Sequence, residues 1–178
     1  MVAYNNIYKI KKNDKQQKLF EGARAPTFQP PPEGRRPKLL FVTGFADGEA
    51  CLHITFKKHS GCQTGWTVRA GFLIGMHQRD KALLEQIKSY FGVGEIYKQG
   101  KNAYQSQVNY LKDLTAVILP HFLMYPLITQ KRADFELFKQ VVDLMNQQKH
   151  VTPEGLQKII DIKAGALARW LPKGRLNE

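Results

Sequence analysis

The chain has little cysteine: Cys51 and Cys62 are the only two in 178 residues. Neither has a second Cys or His at ligand spacing on both sides, which excludes a disulfide framework and paired zinc knuckles and points to a reducing compartment. The five histidines, His53, His59, His77, His121 and His150, are scattered through different segments and suggest no dedicated zinc site. Long apolar runs are lacking as well. No stretch approaches the roughly 18 consecutive apolar residues of a membrane-spanning helix, and the first residues lack the apolar core of a secretory signal, so no membrane partner is expected. Acidic residues are scarce against basic ones: 15 Asp and Glu face 27 Lys and Arg, a formal net charge of +12. Such an excess favours polyanionic partners, because each neutralised phosphate releases a condensed counterion, but charge does not separate DNA from RNA or acidic lipid. The basic, acid-poor N-terminus fits a mitochondrial transit peptide in charge, though not in its low Arg and Ser content.

What is present begins with a basic arm. Residues 1–38 hold nine Lys or Arg against three Asp or Glu, half the net charge of the chain in about a fifth of its length. Its segment FQPPPEGRRPK cannot form helix or interior strand, since consecutive prolines lack amide donors and fix φ. Arg35, Arg36 and Lys38 are its candidate phosphate contacts. A chain of this length is enough for one compact domain with an appendage, and the division expected is an arm at 1–38, a domain at 39–168 and a tail at 169–178.

From Leu39 the pattern changes. LLFVTGFADGE reads as a short apolar helix with two carboxylates at its end. Residues 51–58 alternate, Leu52, Ile54 and Phe56 against Cys51, His53, Thr55 and Lys57, as in a half-buried strand. Residues 65–77 alternate too, with Trp66, Val68, Ala70, Phe72, Ile74 and Met76 inward. HSGCQTG between them supplies a hairpin turn. A helix over 79–91 stops at Gly92, and a second hairpin follows, with Glu95 to Lys98, the turn QGKN, and an alternating run through Tyr104, Ser106 and Val108. Helices are expected over 111–125, 129–147 and 152–168, the last opened by Thr152 and Pro153.

Four antiparallel strands with helices on one face make an α+β domain whose other sheet face is open. That face presents His53, Thr55, Lys57, Arg69, Tyr97, Gln105, Gln107 and Asn109. Amide and cationic side chains of this kind pair with base edges, and a twisted β-ribbon can enter a major groove. An ordinary solvated sheet face would carry the same composition.

VTGFADGEA, residues 42–50, resembles the signature of the LAGLIDADG homing endonucleases, with Gly44, Asp47 and Glu49 in matching places. GEIYKQGKNAYQSQVNYLKDL, YPLITQKRADFELFKQVVDLM and HVTPEGLQKIIDIKA extend the likeness, to the mitochondrial fungal-type branch, over most of the chain from Leu39 to Ala164. The resemblance implies the LAGLIDADG fold and a motif helix, including Gly44, Phe45, Asp47 and Gly48, that packs against its counterpart from a second motif. Gly44, Ala46 and Gly48 would permit that close approach. It implies that Glu49 is the catalytic acid and the ligand of a divalent metal such as Mg²⁺. Asp47 would cap or support structure, and Lys131 would stand near the cleaved phosphate. With one motif in the chain, the resemblance implies a homodimer on a roughly palindromic DNA site in the mitochondrial matrix. A second reading is a domesticated, non-cutting relative that holds RNA in a mitochondrial ribosome or as an intron-splicing maturase. Two departures bear on activity: Ala50 replaces the final glycine of the motif, and Leu73 stands where the relatives usually carry a glutamine that helps hold the metal-bound water.

Overall fold

The computed structural model describes residues 39–170, with side chains to residue 165. The arm at 1–38, with Arg35, Arg36 and Lys38, and the end of the tail at 171–178 lie outside the described residues. Helix α1 (Leu39–Glu49) buries Val42, Thr43, Ala46 and Asp47, a spacing of three and four that lays one stripe on the core. Strand β1 (Ala50–Lys58) follows with no intervening loop. Consequently the last helical side chain, Glu49, stands where the helix meets the sheet.

Strand β2 (Trp66–His77) pairs with β1, and helix α2 (Lys81–Phe91) leads to β3 (Glu95–Gln99) and β4 (Ala103–Val108). The sheet order is β1-β2-β4-β3, antiparallel throughout. Register places Leu52, Ile54, Phe72, Ala70 and Val108 on one face and Cys51, His53, Leu73, Arg69 and Gln107 on the other. Gly94, φ +87°, is required where the chain enters β3, since a Cβ there would stand 2.7 Å from the Gln107 carbonyl oxygen.

The remaining elements are α3 (Leu111–Asp113), a π-helical turn (Leu114–Ile118), α4 (Leu119–Met124), α5 (Lys131–Asn146) and α6 (Pro153–Trp170). Thr152 caps α6 as expected, its hydroxyl accepting from the Gly155 N–H at 3.2 Å. The core lies between the inward sheet face and the helices: Val68, Phe72 and Ile74 meet Leu84, Ile87, Phe122, Phe138 and Val142. Each such side chain contributes roughly 1.5–3 kcal/mol by leaving water. On the outer edge of β1, Lys163 of α6 donates to the Ile54 carbonyl at 3.0 Å, which covers part of an otherwise open strand edge.

One buried polar network ties α1 into this core. Thr43 donates its hydroxyl proton to the Leu39 carbonyl, so its oxygen accepts from His121 Nε2 at 3.1 Å, and the Tyr90 hydroxyl donates to Nδ1 at 3.1 Å. Burial pushes His121 down to about 4 and, for the same first reason, Tyr90 up to about 12. His121 is therefore neutral, and its ring is boxed by Phe91 and Phe122.

The structure departs from the expectations at several places. Ala46 faces the core, fully buried, and takes no part in the open side of α1. Trp66 lies on the inward side as expected, lining a pocket with Phe56, Leu156 and Ile160, but near the hairpin end it stays 38% exposed. The helix over 111–125 is broken by the π-turn, and α6 runs past residue 168 to Trp170. Finally, α5 begins at Lys131, two residues later than expected, with the Thr129 hydroxyl accepting from the Lys131 N–H at 3.2 Å.

Candidate nucleic-acid interface

All eight residues expected on the open sheet face lie there. The register sets them in rows: Lys57 opposite Thr67, Thr55 opposite Arg69, His53 opposite Gly71, then Cys51, Leu73, Gln107 and Glu95, then Gly75, Gln105 and Tyr97. Lys57, Arg69, Tyr97 and Asn109 are exposed, while His53, Thr55, Gln105 and Gln107 are half-buried. An acid, Glu95, also reaches this face but is paired with Lys88 at 2.9 Å. His53 and Asn109 converge over Gly71: a Cβ at that position would lie 2.4 Å from the His53 ring and 2.6 Å from Asn109 Oδ1. Burial holds His53 below the ordinary imidazole range.

Along β4 the amides are joined. Gln107 Nε2 donates to Gln105 Oε1 at 2.7 Å, and Asn109 Nδ2 donates to Gln107 Oε1 at 3.1 Å. Past the end of β4, Tyr110, 75% exposed, helps line a cleft of about 440 Å³ with Arg69, Tyr97 and Asn109. Sequence reading missed Tyr110 because it follows the last alternating residue; an exposed aromatic directly after a polar run was the available signal.

At the foot of α1 the two carboxylates have different surroundings. Asp47 is buried, and its oxygens accept from the Ile128 N–H at 2.9 Å, the Thr129 N–H at 3.1 Å and the Thr129 hydroxyl at 2.6 Å. Burial raises its pKa, but the Thr129 hydroxyl, the two amides and the Lys131 charge together outweigh that and hold the carboxyl below its ordinary value. This is the supporting role expected of it. Glu49 is exposed and, among the described residues, no group donates a hydrogen bond to it.

Lys131 is fastened to the end of α1. Its Nζ donates to the carbonyls of Ala46 at 3.0 Å and Gly48 at 3.2 Å, capping the negative end of α1. Burial pushes the ammonium below its ordinary value, opposed by Asp47, Cys51, Glu49 and Asp134. A hard, unengaged carboxylate suits a divalent cation, yet Asp47 is already committed to backbone amides, so each chain offers one free acid here. The departures separate as well. Ala50 opens β1 without positive φ, since Gln148 is the one described non-glycine residue in that region, so losing the glycine causes no strain. Leu73 does lie on the open face, between Cys51 and Gln107, where it offers nothing to water or metal.

The side of α1 away from the core is uncovered. Leu40 is 73% and Phe41 45% exposed, Phe41 stacks on Phe45 at 5.9 Å, and a Cβ on Gly44 or Gly48 would meet nothing within 4 Å. The outcome is a smooth apolar helix face that ends at Glu49, beside the polar sheet face.

Comparisons with known proteins agree with this geometry. The chain is 40% identical over 126 residues to a probable intron-encoded endonuclease of Neurospora crassa, covering 70% of this chain and 28% of that protein. I-SmaMI, solved bound to an uncleaved DNA target in the presence of calcium ions, superposes with a TM-score of 0.71 at 38% identity, covering 72% of this chain and 44% of that one. The homing endonuclease I-TnaI superposes with a TM-score of 0.69 at 31% identity, over 71% of this chain and 86% of that one. The chain thus spans about a quarter of the curated relative, under half of I-SmaMI and most of I-TnaI. With a LAGLIDADG endonuclease family model matching residues 42–142, the chain belongs to that family.

Proposed function

We propose that the protein is a site-specific double-strand DNA endonuclease, a homing endonuclease that works as a homodimer, its two α1 helices packed together so that two Glu49 carboxylates meet. The observation that carries this reading is the state of α1: an exposed apolar face with two bare glycines, leading to one exposed carboxylate with no hydrogen-bond donor among the described residues. One acid is half of a two-carboxylate centre, and a second copy supplies the other half by symmetry. That I-TnaI is matched over 86% of its length supports a homing endonuclease chain of about this size, while I-SmaMI is matched by less than half.

In this arrangement the open sheet face lies along the DNA, with Lys57 and Arg69 toward phosphates or guanine edges and the amides toward bases. Glu49 of each copy would hold a divalent cation, Mg²⁺ in this reading. Such a cation, when bound, polarises the phosphate and lowers the pKa of an attacking water. Lys131, fixed on the α1 carbonyls, places an ammonium beside Glu49, where charge develops on the phosphate. The open-face residues, Tyr97 included, position the duplex, and Arg35, Arg36 and Lys38 add phosphate contacts from the arm. The place of action is the mitochondrial matrix, in keeping with the intron-encoded relative. Holding ribosomal or intron RNA has no observation of its own in its favour.

The test is cleavage of a selected duplex with Mg²⁺ or Mn²⁺. Glu49→Gln is expected to abolish cutting while binding survives. Sequence-specific binding by the unaltered chain with no cleavage in either metal would refute the nuclease reading.

A further inference from the structure

The hydrogen-bonded amides of β4 form a chain with a direction. At Asn109 the oxygen lies over Gly71, beside the His53 ring, and the nitrogen is the end turned to Gln107. Gln107 then accepts from Asn109 and donates to Gln105. The unused groups therefore differ along the strand. Gln105 keeps both N–H groups, with no acceptor for either among the described residues. Gln107 keeps one N–H and one lone pair. Asn109 keeps an oxygen that accepts no hydrogen bond among the described residues, beside a single N–H.

Base edges in a major groove differ in the same terms. Guanine offers two acceptors, thymine one acceptor and a methyl group, whereas adenine and cytosine carry an exocyclic amino donor. Resting on the reading that this face binds DNA, the geometry points to a polarised specificity element: Gln105 selects guanine, and Asn109 with His53 selects a base bearing an exocyclic amino group. Gln107 acts by holding both neighbours in orientation. Side chains two residues apart on a strand stand about 6.7 Å apart, near two base-pair steps, so the two selected positions lie roughly four base pairs apart.

Loose amides would not behave this way. A free Gln or Asn rotates to present donor and acceptor alike, and so tolerates several bases or favours adenine. Here the hydrogen bonds to Gln107 remove that freedom. The prediction concerns direction, and reversing the amide chain would exchange the two preferences.

The experiment is selection from a randomised duplex library by the full chain in Ca²⁺, compared with Gln105→Glu and Gln107→Leu. Glutamate keeps an oxygen for Gln107 Nε2 but replaces the outward donors with an acceptor. The expected result is one half-site position that prefers guanine by about tenfold and switches to cytosine in Gln105→Glu, with an adenine or cytosine preference roughly four base pairs away. Gln107→Leu should relax both positions together, several-fold each, so that the selected duplex loses its advantage over a scrambled one. Cytosine facing Gln105 in the unaltered chain, no switch in Gln105→Glu, or a Gln107→Leu chain with unchanged preferences would each overturn the proposal while leaving DNA binding intact. Enrichment of no sequence at all by the unaltered chain would overturn the DNA-binding reading together with it.

Discussion

Individual side chains divide into those fixed by the fold and those left for a partner, and Asp47 and Glu49 show both within one helical turn. The motif showed that two acids were present, and the resemblance suggested their roles, but only the loop at 128–129, some 80 positions away, shows which one is committed. The network of His121 was illegible for the same reason: Thr43 and Tyr90 are distant in the chain, and a lone histidine in an apolar run carries no sign of its partners. It has a measurable consequence. The ordinary pKa of 6.5 falls to about 4 in the fold, so between those values the unfolded chain binds a proton that the native state does not. Stability is therefore full above pH 6.5 and falls as pH drops toward 4, by roughly 3 kcal/mol in all. Urea midpoints from pH 7 to 4 should show this slope, and His121→Phe should flatten it while lowering the midpoint at pH 7. A second prediction concerns Gly71. In Gly71→Ala the new methyl displaces the His53 and Asn109 side chains rather than backbone, so the thermal midpoint should shift little while DNA affinity falls. A large loss of stability with unchanged affinity would show that this row serves packing alone.

Elements were largely readable because hydrophobic period decides them. Alternation in 51–58 and 65–77 predicted β1 and β2 to within a residue or two, and Q-S-Q-V-N placed two amides on one face of β4 and a third just past its end. The π-turn was not readable from period, since the apolar spacing of 111–125 suits a continuous helix. A chemical cue was nevertheless there. Pro120 has no N–H to give the Ala116 carbonyl, and just before it the Leu119 N–H reaches back five residues to Leu114. For α1, the apolar run was plain, but which small residues were exposed depended on how the helix sits on the core: Gly44 and Gly48 face out and Ala46 faces in. That distinction yields an unusual expectation for Gly44→Glu. Replacing an exposed helical glycine should raise the stability of the single unit by up to about 1 kcal/mol, because the side chain meets no neighbour. The same carboxylate set in the seam between two α1 helices should turn dimers into monomers. Sedimentation equilibrium beside thermal melts of matched concentration checks both, and a variant that is more stable yet still dimeric would rule out α1 as the seam.

At the scale of the whole molecule, charge was the most visible property and the least specific. The described domain carries its joined amide side chains on one sheet face, whereas half the net charge belongs to residues 1–38. Sequence reading therefore picked out the basic surplus readily, but the register that sets Leu73 beside Gln107, and His53 over Gly71, came only with the folded sheet. The two sources of affinity separate through salt. Contacts to phosphate release counterions, and log K falls with log salt concentration at a slope of about 0.9 per phosphate neutralised on duplex DNA. Replacing Arg35, Arg36 and Lys38 together by alanine should then weaken binding to all sequences alike and reduce that slope by up to roughly 3 units, leaving base preference untouched. Replacing Gln105 and Gln107 by alanine should do the reverse, flattening preference with the slope kept. Fluorescence anisotropy titrations at several salt concentrations, on a selected duplex and a scrambled one, measure both quantities for each variant. Equal slopes in the triple-alanine and unaltered chains would mean that the arm does not touch phosphate, and that the sheet face holds the duplex by itself.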